Sequence, residues 1–537
     1  MLSLIVCAAS SGVVAHQCIF KRLDFDAYPF SIGAICVAAH LAVVRCLQIL
    51  SPYPNSASLI AFILSSCFLI GLGASMLLYR AFFHPLKQFS GPSRAKLSKF
   101  WSIRLVLQSQ MRWYQVLDEL HQTYGDYGLC NTGPRELSIS DPAAIIPVLG
   151  LSSKTTKGPF YGSMQQTVHT TRDKAFHRRR RRIWDVAFKE ALASYGPRIE
   201  EFTGSFLARI ERNASKAINI NDICTHFSYD VMSALAFGHP AGFTNEKCSE
   251  KSRRVLEGIH VGMDAIAVLI HVPWVMTMLE ACSSLPSPMK LFNDWSKEQV
   301  EFRSKMQNPQ PDIMGHLMKH TPDDADGRNL LNAESRLIIG AGSDTTAIAL
   351  SLAFVYLAMY PSYTQRIRQE ADENCTSPDY SSMRRQPIID SVINEVLRLH
   401  PPVTFGAQRV TPPEGLIIGN VPIPGNTIVS IPAHLLARDT RSFLYPRSFI
   451  PERWTTRPEM VLNRTAFMPF SAGPYNCAGK NLAMMELRSV ISRVAQQYDI
   501  SFPANEPFAG DSFFARMTDH FTLGVPKQSL VFTRRAN

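Results

Sequence analysis

The chain has 537 residues, with 55 Lys and Arg against 44 Asp and Glu, a formal net charge of +11 and 46% hydrophobic residues. It is long enough to bury a substantial core, and its basic excess suits an anionic protein or lipid surface. Nucleic acid is disfavoured because no basic stretch is interleaved with aromatic residues, and eleven cysteines without a C-x-x-C pair argue against a zinc framework or dense disulfide scaffold.

Three apolar stretches come first, at about Leu2 to Phe20, Pro29 to Leu50 and Ser58 to Tyr79. Each is close to the roughly 20 residues that cross a bilayer as a helix. The first lacks the leading positive charge of a signal peptide. Lys21 and Arg22 follow the first stretch, Ser51 to Ala57 carries no charge, and Arg80, Lys87, Arg94, Lys96 and Lys99 follow the third. The positive-inside tendency then puts the N-terminus outside and the body in the cytosol. Arg45 and His40 weaken the second stretch, so a single anchor at Ser58 to Tyr79 remains the simpler alternative. The region 1–82 is therefore expected to hold one to three membrane helices and to contact lipid. Next comes Arg80-Ala-Phe-Phe-His-Pro85-Leu, with Gly91-Pro92 close behind. It reads as a stiff hinge, because proline fixes its own backbone and restricts the residue before it.

The remainder, about 83–537, shows no internal repeat and is read as one mainly α domain with small β-sheets. Strand-like pieces lie at Tyr127 to Ser140, Leu416 to Ile431 and Phe521 to Phe532. The run His177-Arg-Arg-Arg-Arg-Arg182 places His177 and Arg181 on one helix face, where two donors can reach a pair of carboxylates. A solvated basic face and a nuclear-targeting run are the plainer readings. Val255 to Phe292 is apolar and helical, broken at Pro273, Pro286 and Pro288.

Leu330 to Tyr360 is a long apolar helix interrupted by Ala341-Gly-Ser-Asp-Thr-Thr346. A helix that is hydrophobic all round lies in a membrane or at the centre of a large protein. The notch puts a carboxylate and three hydroxyls within four positions. Gly342 is expected to clear room for something flat, and Thr345 and Thr346 can bond back to helix carbonyls. Glu395-Val-Leu-Arg398 sits in a helix that ends at His400-Pro-Pro402, with Arg409 beyond it and Arg453 in Phe449-Ile-Pro-Glu-Arg-Trp454. Last comes Phe470-Ser-Ala-Gly-Pro-Tyr-Asn-Cys-Ala-Gly479, a lone cysteine between Gly473 and Gly479, ahead of a helical pattern from Leu482. A tight loop handing Cys477 to a helix N-terminus favours a thiolate, which suits a soft axial ligand to haem iron.

Taken together and in this order, these segments resemble the cytochrome P450 family, most of all its fungal membrane-bound members. The Cys477 segment is similar to the haem loop F-x-x-G-x-R-x-C-x-G, and Ala341 to Thr346 to the oxygen-binding motif. Glu395, Arg398 and Arg453 resemble the family's buried charge network. The resemblance implies the cytochrome P450 fold and haem b, with Cys477 as iron ligand and Phe470, Gly473 and Gly479 shaping its loop. It also implies that His177, Arg181 and Arg409 contact the propionates, and that Asp344 and Thr345 manage protons for O2. Electrons are expected from NADPH through a separate NADPH-cytochrome P450 reductase, docked on the remaining arginines of the basic run. The implied function is a monooxygenase acting on a small apolar substrate, in fungal secondary metabolism and at the endoplasmic reticulum membrane, with the catalytic domain facing the cytosol. A haem-thiolate isomerase or dehydratase that does not use O2 is the alternative. A haem-binding sensor and a transporter stand further off. Tyr475 is the departure: the family has Arg or His there, and tyrosine carries no charge at neutral pH.

Asn213, Asn374 and Asn463 each open an N-x-S/T sequon. With the body in the cytosol none is expected to carry glycan, so glycosidase treatment of the chain from eukaryotic membranes should leave its mass unchanged.

Overall fold

The computed structural model describes residues 1–21, 28–50, 54–128, 133–281, 287–307, 309–374 and 386–535. Arg22 and Pro286, which entered the charge pattern and the proline breaks above, lie outside the described residues.

The N-terminal region forms α1 (Leu2–Ala15), α2 (Pro29–Leu50) and α3 (Ala57–Leu78). A π turn prolongs α1 through Phe20 and α3 through Phe83. By length and composition the stretches Leu2–Phe20, Pro29–Leu50 and Pro54–Phe83 could each cross a membrane, and none of the residues of α2 is buried in protein. These apolar helices suggest membrane anchoring. Helices α1 and α3 meet backbone to backbone. A Cβ added to Gly12 would lie 2.1 Å from the Phe68 carbonyl oxygen, and one added to Gly71 would lie 2.1 Å from that of Ala9. Small residues allow such approach where lipid offers no hydrophobic drive between helices. A polar pair adds to it, His16 Nδ1 lying 2.8 Å from Ser75 Oγ, and another joins α2 to α3, His40 Nδ1 lying 2.9 Å from Ser65 Oγ.

The proline segment is anchored on the body. His84 is extended and its Nδ1 accepts the Leu86 N–H at 3.2 Å, while Leu86 and Phe89 are buried in a core beneath the main sheet. That sheet has five short strands: β1 (Tyr127–Gly128), β2 (Glu136–Ile139), β3 (Thr156–Lys157), β4 (Ala407–Val410) and β5 (Ile428–Ile431). Their order is β1–β2–β5–β4–β3, with β2 and β5 parallel and the other pairs antiparallel. Leu137, Ile139, Val429 and Ile431 point into the core they share with Val148 and Phe443.

The larger core is helical. It is built by α4 (Lys174–Arg212), α5 (Ile220–Phe237), α6 (Glu250–Leu269), α7 (Pro273–Ala281), α8 (Pro288–Ser304), α9 (Ala325–Met359), α10 (Pro387–Leu399) and α11 (Lys480–Gln497). Pro273 and Pro288 open α7 and α8, at a position where the missing N–H costs nothing. Helix α7 also packs against α2, so the body touches the N-terminal helices there. Helix α9 carries the apolar run that raised the membrane reading. Within its most apolar window 72% of residues are buried inside the protein, against α5, α10 and α11, so α9 is the centre of the body. The strand-like pieces are shorter than the sequence suggested. β1 and β2 fall within one, Leu416–Ile418, Val421–Ile423 and β5 divide another, and Thr522–Gly524 and Ser529–Arg534 divide the last.

Candidate active site

The cysteine loop is closed by its own backbone. Cys477 N–H donates to the Phe470 carbonyl at 2.9 Å, and the chain reverses through left-handed residues at Ser471 and Gly473. Gly473 has φ of +65°, and a Cβ there would lie 1.9 Å from the Leu149 carbonyl oxygen. This glycine is therefore demanded by the protein's own backbone, which crosses the loop at Leu149–Gly150. A Cβ on Gly479 would meet only ordinary contacts with the Phe188 ring and Cys477 Sγ at 3.8–3.9 Å. Phe470 packs on the helical core and has Lys480 Nζ 5.6 Å from its ring centroid.

Cys477 lies two residues before the cap of α11. Burial pushes its thiol up, while the N–H groups of Gly479 and Lys480 and the charge of Arg181 pull it down. Its outer surface is open although protein surrounds it, so the sulfur faces an internal space. Ala341 behaves in the same way. It is exposed in the middle of α9, with Gly340, Asp344 and Thr345 half-buried beside it, while Ile338, Ile339, Ser343 and Thr346 are buried.

In this notch Thr345 Oγ1 donates to the Ala341 carbonyl at 2.9 Å and Thr346 Oγ1 to that of Gly342 at 3.2 Å. The Thr522 hydroxyl donates to Asp344 Oδ2. Burial raises the Asp344 carboxyl above its ordinary value, and the Thr522 hydrogen bond opposes that. The expectation for Gly342 needs correction. A Cβ there would lie 2.5 Å from Met232 Cε on α5, so this glycine lets two helices pack. The glycine with open space is Gly340, around which nothing lies within 4 Å of an added Cβ.

The basic run divides by helix face. Arg178, Arg179 and Arg182 are exposed. Arg181 donates to the Asn476 carbonyl at 2.6 Å, to Asn476 Oδ1 at 2.8 Å and to Asp185 at 2.7 Å, tying α4 to the cysteine loop. Arg180 does not belong with the outward arginines. It is buried, paired with Glu334 of α9 at 2.5 Å, and Trp184 Nε1 donates to the same carboxylate at 3.1 Å. The i+3 and i+4 spacing of His177, Arg180, Arg181 and Trp184 carried that signal.

Tyr475 is surrounded by two basic side chains and an imidazole. The His177 ring centroid is 4.4 Å from its own, Lys157 Nζ is 4.8 Å away and the Arg409 guanidinium 4.9 Å. Lys157 and Arg409 are directly opposite each other across β3 and β4, and both are almost fully buried. Burial, then the charges of Arg409 and Arg181, push Lys157 down to about 7. Burial, then Lys157, Arg181 and Arg409, push His177 down to about 4. Lys157 donates to the carbonyls of Val168 (3.3 Å) and His169, and Arg409 to that of Gln408 (3.0 Å), leaving Arg409 Nε without a partner. Neither forms an ion pair with a described carboxylate. A cation–π contact contributes up to about 2 kcal/mol, less than the roughly 3–5 kcal/mol of an uncompensated buried charge. The arrangement is set to meet anionic oxygen. Sequence reasoning named His177 and Arg409 here and missed Lys157, which only the strand pairing brings in.

Behind the loop, Glu395 binds Arg398 at 2.8 and 3.0 Å and Arg453 at 3.0 Å, all fully buried. It also accepts the Ile450 N–H and Trp454 Nε1, both at 2.9 Å. The spare guanidinium donors reach the carbonyls of Ala437, Pro446 and Ser448 from Arg398, and of Leu444 and Tyr445 from Arg453.

A mostly apolar cavity lies between α6, the sheet and the C-terminal hairpin, lined in part by Trp113, Ala267, His271, Phe405, Gln408 and Phe521. His271 Nδ1 and Ser430 Oγ, both on its lining, have no hydrogen-bond partner.

Comparison with known proteins fits this geometry. The family profile for cytochrome P450 matches residues 92–520. Cytochrome P450 monooxygenase FCK2 of Fusarium pseudograminearum is 36% identical over 539 residues, covering 98% of this chain and 96% of that protein. Cytochrome P450 monooxygenase orf5 of Eupenicillium brefeldianum is 38% identical over 475 residues, covering 87% and 95%. Tryprostatin B 6-hydroxylase of Aspergillus fumigatus is 32% identical over 543 residues, covering 98% and 95%. The chain belongs to the cytochrome P450 family and is a P450 monooxygenase, an oxidoreductase. The family implies a haem-thiolate cofactor, and the residues here fit one. The Gly479 and Lys480 N–H groups pull the loop cysteine's thiol down, and buried cations with an orphaned guanidinium nitrogen stand near it without an ion pair to a described carboxylate.

Arg453→Ala should cost about 3–5 kcal/mol by stranding part of the Glu395 charge. Denaturant unfolding followed by far-UV circular dichroism would register it as a lower midpoint.

Proposed function

We propose that residues 83–537 form a haem-thiolate monooxygenase body carried on a membrane region at 1–82, with haem b bound between α9 and the Cys477 loop. The observation that carries this reading is Cys477 facing inward at the start of α11, two residues from Tyr475 and its cations. In this reading Cys477 would hold the haem iron through its sulfur, and the Gly479 and Lys480 N–H groups would stabilise the negative charge of the thiolate. Arg409, Arg181 and His177 serve the propionate side, and Phe470, Gly473 and Gly479 hold the loop. Glu395, Arg398 and Arg453 brace the wall behind it. When bound, the haem would use O2 and two electrons to put one oxygen atom into a substrate C–H bond, the other leaving as water.

Asp344 and Thr345 would manage protons on the α9 side. The Asp344 carboxyl, with its raised affinity for a proton and its bond to Thr522, can hold and pass one next to the Thr345 hydroxyl. That equipment favours an oxygen-using enzyme over an isomerase or dehydratase. The exposed Arg178, Arg179 and Arg182 support docking of an acidic NADPH-cytochrome P450 reductase. The apolar cavity supports a small, mainly apolar substrate, and its unpartnered His271 and Ser430 atoms favour one that also hydrogen-bonds. A role in fungal secondary metabolism fits the relatives, one of which is a tryprostatin B hydroxylase. The charge pattern around α1 to α3 supports a body on the cytosolic side of the endoplasmic reticulum membrane.

The reduced, CO-bound absorption spectrum tests the assignment. Wild type should show a Soret band typical of thiolate ligation, and Cys477→Ser should lack it. A wild-type spectrum typical of nitrogen ligation would refute the reading. With reductase present, turnover that consumed neither O2 nor NADPH would instead favour the isomerase or dehydratase.

A further inference from the structure

The family pattern that this chain resembles has a cation where Tyr475 stands, yet the space around the tyrosine is cationic. Lys157 and Arg409 occupy directly opposed positions of the antiparallel β3–β4 pair. Like charges so placed repel, and both are buried at 3% and 2% exposure. Each lies over the same ring, at 4.8 and 4.9 Å. Of the charged and titratable groups around them, Arg181 is engaged with Asn476 and Asp185, and the His177 ring packs tilted against the tyrosine ring. Asp173, the carboxylate acting on Tyr475, caps the N-terminus of α4 through Ala175 and Phe176. Arg172 donates to the Lys157 carbonyl, which fixes the β3 backbone. Among the described residues no carboxylate pairs with either cation, and Arg409 Nε has no hydrogen-bond partner, so the pair suits an anion. Haem brings carboxylates as its propionates.

We propose that Lys157 supplies to a haem propionate the positive charge that residue 475 lacks, with Tyr475 as a positioning residue whose ring spaces Lys157 from Arg409. The inference rests on the haem reading above and adds a site residue from a strand distant in sequence from the cysteine loop. Lysine suits the role as a compact charge on a flexible stem. The tyrosine face holds it without competing for the carboxylate, because a ring offers no anionic oxygen at neutral pH.

The test uses the full-length, detergent-solubilised holoenzyme and follows haem transfer to excess apomyoglobin. Lys157→Met should speed haem loss about tenfold, and Lys157→Arg should stay within about threefold of wild type. The reduced CO band of Lys157→Met should remain that of a thiolate, and its reduction potential should move negative as a cation is lost. Adding Tyr475→Arg to Lys157→Met should return retention towards wild type, because the charge then comes from the cysteine loop. Tyr475→Leu, which keeps both cations, provides a milder probe should Lys157→Met fail to fold, and should also speed loss. Haem loss from Lys157→Met within about twofold of wild type, or a loss that Tyr475→Arg does not reverse, would overturn the proposal while leaving the haem reading intact. Unchanged loss from Tyr475→Leu would overturn the part assigned to the ring. A wild-type chain without a thiolate-type band would overturn both.

Discussion

One carboxylate, Glu395, holds the cysteine side of the body together. It sits in a fully buried position with two arginines, an indole N–H and a backbone N–H directed at it. Two guanidiniums on one carboxylate would leave a net buried charge, a costly state. Five backbone carbonyls of the segment 437–448 absorb the surplus donors. That requirement pins an otherwise irregular stretch of chain against α10. Trp454 carries the constraint onward: its Nε1 is bound to Glu395 and its ring packs tilted against Phe467, 4.4 Å between centroids and three residues before Phe470. The Phe470 carbonyl then fixes Cys477 through its N–H. A buried ion network thus braces the segment whose backbone holds Cys477.

The opposite wall is placed by helix α4. A run of five arginines could have been an exposed charge patch, and three of them are. Helical spacing turns the other two, with His177 and Trp184, towards the interior. Arg180 and Trp184 lock α4 to Glu334 on α9, while Arg181 locks it to Asn476 beside the cysteine. Helix α4 therefore couples the two elements between which the cofactor would lie, the notched helix and the loop. Arg180 is tolerated at its buried position because Glu334 is its partner, whereas Lys157 and Arg409 reach only backbone carbonyls.

Glycine residues illustrate how the same residue type serves different ends. Gly473 answers a positive φ and a carbonyl at 1.9 Å, Gly342 makes room for Met232, and Gly12 and Gly71 let two apolar helices touch. Only Gly340 faces open space on the notch. A motif therefore locates a site more reliably than it explains each of its residues.

The helix-rich class, the three apolar N-terminal stretches, the α9 notch and the cysteine loop were legible in the sequence. Each is encoded within some thirty consecutive residues, by hydrophobic periodicity, by length or by a short motif. Pairings over longer separations were not legible. Lys157 meets Arg409 across 252 positions because of strand register, Asp344 meets Thr522 because a C-terminal hairpin folds back onto α9, and Trp454 joins Glu395 through the irregular segment between them. The buried fate of α9 was also undecided locally, since an apolar helix satisfies its backbone equally well in lipid or in a protein core. Local interactions fixed the elements and the candidate ligand. Only the packing of distant segments decided which charges face one another, because the energy of a buried charge depends on its neighbours in space and not on those in the chain.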